Sequence, residues 1–259
     1  RAGDASAHAT APDPIRPAFR RHAMLFRQLI DAQSSTLTYL IASGPGREAL
    51  IIDPCKANLA QYLRLVDQLR LRLVRAIDTH THADHVTALG DLADATGCAT
   101  VMGAHTRAEC VAERVREGEL LDVDGIRLKA LYTPGHTDES YSFLLRPERP
   151  RAVFTGDVLL IRGTGRTDFQ NGDAGRSFDS ITQGLFALPD DTWVYPAHDY
   201  NGETCSSIGE EKRHNPRIAG KTRAQYIELM AALDLPRPKL IDIAVPANLR
   251  CGRDAPDLA

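Results

Sequence analysis

The regular pattern of apolar and polar positions starts near Leu25. Thr36–Ala42 and Glu48–Asp53 read as two strands around Ser43-Gly-Pro-Gly46, a hairpin signal. Residues 57–71 place Leu59, Leu63, Val66 and Leu69 at helical spacing, and Leu73–Asp78 is a short apolar strand. Asp84 to Thr96 reads as a helix with Val86, Leu89, Leu92 and Ala93 on one face and Gly97 as its stop. Short strands follow at 100–103, 126–132, 141–145, 152–156 and 192–196, and a late helix at 222–233 ends before Leu235-Pro236. Strands and helices alternate in one half and again in the other, with no repeat of fixed period. The pattern predicts an α/β layer protein with two sheets rather than one.

Nothing in mid-chain resembles a linker, so the 259 residues read as a single domain over 23–252, flanked by tails at 1–22 and 253–259. The first tail is rich in Ala, Pro, Arg and His and has no apolar h-region, which argues against a secretory signal. An expression remnant, a disordered tail and the stump of a transit peptide all fit it. At 43% hydrophobic and 25% charged residues the composition is that of a soluble globular protein. No run approaches a membrane span. A net charge of -3 without a basic block gives no reason to expect nucleic acid or a membrane surface as partner. Arginine far outnumbers lysine, which occurs only at 56, 129, 212, 221 and 239; codon bias in a GC-rich genome accounts for that. Five cysteines, at 55, 98, 110, 205 and 251, are an odd number without a CxxC pair. That is a poor disulfide framework and fits a reducing compartment.

The chemistry lies in the histidines. Of nine, five fall in three segments that each follow a predicted strand: Thr79-His-Thr-His-Ala-Asp-His85, Thr133-Pro-Gly-His136 and Tyr195-Pro-Ala-His198. Phe154-Thr-Gly-Asp157 brings a carboxylate to a fourth strand end. Strands hold such side chains rigidly and their loops let them converge, as a metal cleft along a sheet edge requires. Imidazole with carboxylate suits zinc, iron or manganese. Taken alone, His136 or His198 reads as an ordinary core or surface histidine, Asp157 as a turn residue and Asp84 as a helix N-cap. Three histidines and an aspartate within six residues, opening a helix, are hard to explain by packing. His105 and His214 have no such company.

His80-Thr-His-Ala-Asp-His85 with Gly135-His136, Gly156-Asp157 and Ala197-His198 resembles the HxHxDH…H…D…H signature of the metallo-β-lactamase superfamily, over about residues 25 to 252. The resemblance implies an αββα sandwich of two mixed β-sheets flanked by helices, with one catalytic domain and a metal cleft along the top. It also implies one metal site at His80, His82 and His136, another at Asp84, His85 and His198, and Asp157 as the bridge. Leu159–Gln170, Tyr195-Pro-Ala-His-Asp-Tyr200, Asn215-Pro-Arg217 and Ala244-Val-Pro-Ala-Asn-Leu-Arg-Cys-Gly252 are similar to the persulfide dioxygenases within that superfamily. That closer resemblance implies a single Fe(II) per chain held by His80, His136 and Asp157, with His82, Asp84, His85 and His198 around it as hydrogen-bonding support. Two histidines and one carboxylate form the facial triad of non-haem Fe(II) oxygenases, with open positions for sulfur and O₂.

The implied reaction turns glutathione persulfide, O₂ and water into sulfite and glutathione. A homodimer is the implied assembly, in the mitochondrial matrix of a eukaryote or the cytoplasm of a bacterium. Glutathione carries two carboxylates and an amine, so cationic and polar anchors are expected. Arg162 leads, because an Arg fork matches a carboxylate, and Tyr200 would reach the cleft beside the reacting groups. Asn248 and Arg250 would close the pocket. Each has a structural alternative: Arg162 and Arg250 could pair with carboxylates, Tyr200 could be half-buried packing, and Asn248 could serve a turn. Arg166 and Asp168 read as an internal salt bridge. Asp138 and Glu139, after His136, depart from the family pattern and are expected to point outward, since acids facing the cleft would repel an anionic substrate. No attached rhodanese module is expected. Two other readings compete: a binuclear thioester hydrolase of the glyoxalase II kind, with a metal-bound hydroxide, and a sensing scaffold without turnover. Metal stoichiometry and O₂ consumption separate the three.

Overall fold

A computed structural model describes residues 24–145 and 152–253, so the expected tails at 1–22 and 253–259 lie outside the described residues apart from Arg253. The first sheet has strand order β1-β2-β3-β4-β5-β6, formed by Leu25–Asp31, Thr36–Ala42, Glu48–Ile52, Arg72–Ile77, Ala99–Gly103 and Glu113–Val115. Its first three strands are antiparallel and the rest pair in parallel. Strands β7 (Leu120–Val123), β8 (Ile126–Tyr132), β9 (Tyr141–Leu145) and β10 (Ala152–Gly156) belong to the second sheet. A short hairpin, β11 (Leu159–Leu160) with β12 (Gly163–Thr164), leads on to β13 (Trp193–Pro196) and β14 (Ser206–Ser207). The second sheet runs β14-β13-β10-β9-β8-β7, with only the β10–β13 pair parallel.

The period-two geometry of a strand divides the core into layers. Along β2, Leu37, Tyr39 and Ile41 join Phe143, Phe154, Leu128 and Val123 of the second sheet in the central core. Leu40 and Ala42 point the other way, into a layer with Tyr62, Leu89 and Leu92. These come from α1 (Leu59–Gln68) and from α2 (Leu89–Thr96) with the residues around it. Beneath the second sheet, Val153, Val158 and Val194 pack on Ile181, Ile208, Tyr226 and Met230. Here α3 (Ala174–Asp179), α4 (Ile208–His214) and α5 (Arg223–Ala231) form the outer cover, and α6 (Ile241–Asn248) closes the chain. Helix, sheet, sheet, helix is the order the sequence led us to expect. A strand such as β2, buried along its whole length, is the result of being covered on both faces.

Two expectations change. The helix read from Asp84 begins only at Leu89. Residues 84–88 cannot coil because their backbone groups are taken by neighbours: Lys56 N–H donates to the Val86 carbonyl at 2.8 Å, Ala88 N–H to Pro54 at 2.7 Å, and Thr87 N–H to the Asn248 side chain at 2.9 Å. The cysteines do support a disulfide, between Cys110 and Cys251, 141 residues apart with Cα atoms 6.0 Å from each other. Local spacing carries no signal for so distant a pair. Cys55, Cys98 and Cys205 are free.

Candidate metal centre

All four metal-capable segments leave the C-terminal ends of strands at one edge of the sandwich: 78–88 after β4, 133–136 after β8, Asp157 after β10 and His198 after β13. The two sheets are tied together at this edge. Tyr39 Oη donates to the Pro196 carbonyl at 2.6 Å, Leu37 N–H to Ala197 at 2.7 Å, and Tyr141 N–H to Thr79 at 2.9 Å. The β10–β13 register slips between Phe154 and Gly156, and a slip of this kind re-aims the next side chain, Asp157. Gly156 has φ 53°, and a Cβ there would lie 2.7 Å from Thr79 Oγ1, so both conformation and space demand glycine.

Three groups converge without bonding one another. His80 Nε2 and His136 Nε2 lie 4.0 and 3.7 Å from Asp157 Oδ2, and the three donors lie within 4.8 Å of one another. Donors about 2.1 Å from a shared ion stand at most about 4.2 Å apart, and both separations from Asp157 Oδ2 lie within that limit, as a site for one metal cation requires. The ring orientations are fixed from behind. His136 Nδ1 bonds the Arg166 carbonyl at 2.7 Å, which makes it the protonated nitrogen and leaves Nε2 free to ligate. His80 Nδ1 meets Thr79 Oγ1 at 2.9 Å, and that hydroxyl donates to Asp53 Oδ2 at 3.1 Å. Burial, with the adjacent His82 and His136, holds His80 well below the usual imidazole range, so it is neutral and ready to bind. Replacing Thr79 with valine keeps the volume and removes the acceptor behind His80. We expect metal affinity to fall about 10-fold or more, read by chelator competition; an unchanged affinity would show that the ring needs no such support.

His198 does different work. Its Nδ1 bonds Asp157 Oδ1 at 2.7 Å and its Nε2 bonds Asp84 Oδ2 at 2.8 Å, so both ring nitrogens face carboxylates. Burial opposes charge on the ring, but Asp157 and Asp84 together outweigh it and hold His198 protonated well above the ordinary range. In turn burial would raise Asp157, yet the charge of His198 and its hydrogen bond, with His136 and His80, keep that carboxyl below its usual value. Asp84 also bonds His85 Nδ1 at 3.0 Å, and Thr36 Oγ1 lies 3.0 Å from His198 Nε2. Asp84 is therefore no helix cap.

Comparison with known proteins places this site in a family. Residues 32–198 match the family model described as the metallo-beta-lactamase superfamily. The chain belongs to that superfamily. The human mitochondrial protein named persulfide dioxygenase ETHE1 is 40% identical over 234 residues, covering 90% of this chain and 91% of that protein. The crystal structure of ETHE1 from Myxococcus xanthus is 52% identical with a TM-score of 0.85, covering 88% of this chain and 100% of that chain. A further solved structure, TTHA1623 in a di-iron-bound form, is 25% identical with a TM-score of 0.60, covering 73% of this chain and 98% of that one.

Within this superfamily fold the remaining sequence-derived residues are distributed unevenly. His82 groups with Asp53 and Asp78, and also with Asp84 and His85, rather than with the converging triad. Its Nε2 lies 3.2 Å from Asp53 Oδ1, while His82 Nδ1 and His85 Nε2 are buried without partners. Tyr200 is 69% exposed and stacks flat on His198, with ring centroids 5.9 Å apart. Arg162 is turned to structure: its N–H and Nη1 reach Glu211 at 3.0 and 2.5 Å, and Nη2 pairs with Glu210. That is the carboxylate pairing weighed against substrate contact. Asn248 holds the metal loop, donating to the His82 and His85 carbonyls at 2.8 and 2.9 Å and accepting from Thr87 N–H. Arg250 has a buried Nε without a protein partner. The Arg166–Asp168 pair is present, with both contacts at 2.7 Å.

Glu139 does not point outward. It is 4% exposed, and its Oε1 accepts from Thr81 N–H at 2.7 Å, between His80 and His82 in sequence. The acid serves the backbone of the metal loop. Asp138 is neutralised by Arg107, in contacts of 2.9 and 2.6 Å. Asp53, Thr79, Thr36 and Glu139 were not legible as site residues. The one available signal was polarity at strand ends, as in Ile51-Ile52-Asp53, which many turns share.

Proposed function

We propose that this chain is a glutathione persulfide dioxygenase. One glutathione persulfide, one O₂ and one water give one glutathione, one sulfite and two protons. The observation that carries this reading is the convergence of His80, His136 and Asp157 beside a His198 already bonded to two carboxylates. Two imidazoles and one carboxylate on one face are the donor set of non-haem Fe(II) oxygenases, so the three residues would hold one ferrous ion. When bound, that ion supplies the redox chemistry that joins O₂ to the outer persulfide sulfur. The similar protein TTHA1623 was solved with iron bound, and the human relative is a persulfide dioxygenase by name.

The protein's own groups hold the arrangement. The Arg166 carbonyl and Thr79 hydroxyl fix the two rings, and cationic His198 keeps the Asp157 carboxylate ionised and oriented. Tyr200, exposed above His198, would hydrogen-bond the cysteinyl part of the substrate, and Arg250, whose buried Nε has no protein partner, would close the pocket. Arg162 and Asn248 are engaged elsewhere and contribute through the backbone they brace. The reading extends to a homodimer, in the mitochondrial matrix of a eukaryote or the cytoplasm of a bacterium. Among the described residues no helix is long and apolar enough to cross a membrane.

The test is O₂ uptake by anaerobically iron-loaded protein on adding glutathione persulfide. We expect sulfite to form about one-for-one with O₂ consumed and iron to count about one per chain. Hydrolysis of a glutathione thioester without O₂ uptake, at two metals per chain, would replace this reading with the binuclear hydrolase.

A further inference from the structure

The C-terminal turn sits directly on the metal loop. Asn248, the last residue of α6, makes three hydrogen bonds to the backbone of residues 82–87. Beyond it, the Cys251 carbonyl accepts from Gly90 N–H at 2.8 Å, and the Gly252 carbonyl accepts from Lys56 Nζ at 2.7 Å. Gly252 approaches so closely that a Cβ there would lie 1.9 Å from the Thr87 carbonyl oxygen. From residues 82–87 the contacts continue inward: Asp84 to His198 at 2.8 Å, then His198 to Asp157 at 2.7 Å. Each step is a short, buried or half-buried polar contact.

One covalent bond fixes the outer end of this series. Cys251, three residues after Asn248, is joined to Cys110 in the loop between β5 and β6. Cys251 is fully buried, whereas Cys110 is partly exposed, so an attacking thiolate can reach the bond at the Cys110 sulfur. Attack there forms a mixed disulfide at Cys110 and expels the Cys251 thiolate, which takes up a proton. A second thiol then attacks the outer sulfur of the mixed disulfide and frees Cys110. Two low-molecular-weight thiols are oxidised to one disulfide, and the protein bond is reduced to two thiols.

We propose that Asn248 is a positioning residue for the metal centre and that the Cys110–Cys251 disulfide is a thiol-sensitive latch setting how firmly it grips. Oxidised, the turn is pinned to the β5–β6 loop and Asn248 is held on the loop that carries His82, Asp84 and His85. Reduced, the turn keeps its hydrogen bonds but loses its tether, and the metal loop opens more often. On the reading proposed above, the reaction releases glutathione, a thiol of the class that opens the latch.

The test uses the full chain loaded with ferrous iron under anaerobic conditions. Release to a ferrous-selective chelator is timed for the oxidised protein, for protein reduced and repurified, and for Cys110→Ser and Asn248→Ala. Hydrogen exchange over residues 82–88 is followed in parallel. Reduced protein and Cys110→Ser are expected to release iron several-fold faster than oxidised protein and to exchange faster in that loop. Asn248→Ala should release it about 10-fold faster in either redox state, because the latch then has nothing to hold. Asn248→Asp keeps the acceptor for Thr87 N–H and loses the two donors, so it should fall between. Equal release and exchange from oxidised protein and from Cys110→Ser would overturn the latch, as would free thiols at 110 and 251 in air-oxidised protein. None of these readouts needs turnover, so a failed latch and a failed persulfide assay are separate results.

Discussion

Asp157→Asn is expected to leave the metal centre nearly empty, with iron content well below one per chain and O₂ uptake reduced by more than about 100-fold. Outer hydrogen-bonding partners of a metal centre are generally worth about 10–100-fold, and loss of the anionic donor should exceed that range. Asp157 holds both jobs at once. Oδ2 faces His80 and His136 in the converging triad, and Oδ1 receives the His198 Nδ1 hydrogen bond. Asparagine keeps the size and one acceptor, so the fold should stand while the charge goes. His198→Gln is the contrast. If His198 supports the carboxylate without ligating, that variant retains iron at an affinity lowered by no more than about 100-fold. Iron content and calorimetric binding decide between them, and equal loss in both variants would make His198 a ligand.

The same substitution carries a pH signature in the metal-free protein. The Asp157 carboxyl is held below its ordinary value of 3.8, so its ionised form binds the native state more favourably than the unfolded chain. That contribution is present above pH 3.8 and is lost as pH falls toward the depressed value. Asp84 is depressed in the same direction, where His198 and His85 outweigh the effect of burial. Wild-type stability should therefore fall steeply with acid below about pH 4, and Asp157→Asn should show a shallower fall. Denaturant midpoints at pH 3 and pH 7 measure it.

The two sheets and the clustering of metal-capable residues at strand ends could be read from the chain because they rest on local regularities, whereas the helix-covered sandwich and the choice of His80, His136 and Asp157 as one set came from the family resemblance. Period-two and helical spacing marked most of the longer strands and helices, and the HxHxDH run is hard to explain by packing. What escaped depends on contacts distant in sequence. Residues 84–88 have the spacing of a helix, yet Pro54, Lys56 and Asn248 claim their backbone groups. Glu139 looked like a surface acid because nothing near it in sequence shows that Thr81 N–H needs an acceptor. Strand β1 lacks a clean alternation, with Arg27 and Gln28 adjacent, and is defined by its seven paired residues on β2. The Cys110–Cys251 pair is the extreme case, since two cysteines 141 residues apart in sequence meet only in the packed layer that contains both.

Glu211→Ala is expected to cost roughly 3 kcal/mol or more of stability and to lower Tm by about 6–12 °C, because it removes one side of a buried ionic network. The Glu211 carboxylate is fully buried on α4 and accepts from Ser206 Oγ at 2.6 Å, Asn215 Nδ2 at 2.8 Å, and both the N–H and Nη1 of Arg162. Without it Ser206 Oγ and the Arg162 N–H lose their acceptor, although the Arg162 side chain keeps Glu210 and Asn215 Nδ2 keeps the Gly163 carbonyl at 2.9 Å. Arg162 sits at φ 55°, in the left-handed region that non-glycine residues rarely adopt, so the β11–β12 turn depends on this anchorage. The effect should reach the metal. Directly after β12, Gly165 N–H donates to the Asp157 carbonyl at 2.8 Å and the Arg166 carbonyl holds His136. Gly165 has no space for a side chain, since a Cβ would lie 2.0 Å from the Asp157 carbonyl oxygen. A loosened turn therefore moves two of the three donors, and iron affinity should drop together with Tm. Arg162→Lys separates the roles open to this arginine. A brace lowers Tm and iron content and leaves KM for the persulfide close to wild type in the protein that remains loaded. A substrate anchor would raise KM while Tm and iron content stay unchanged.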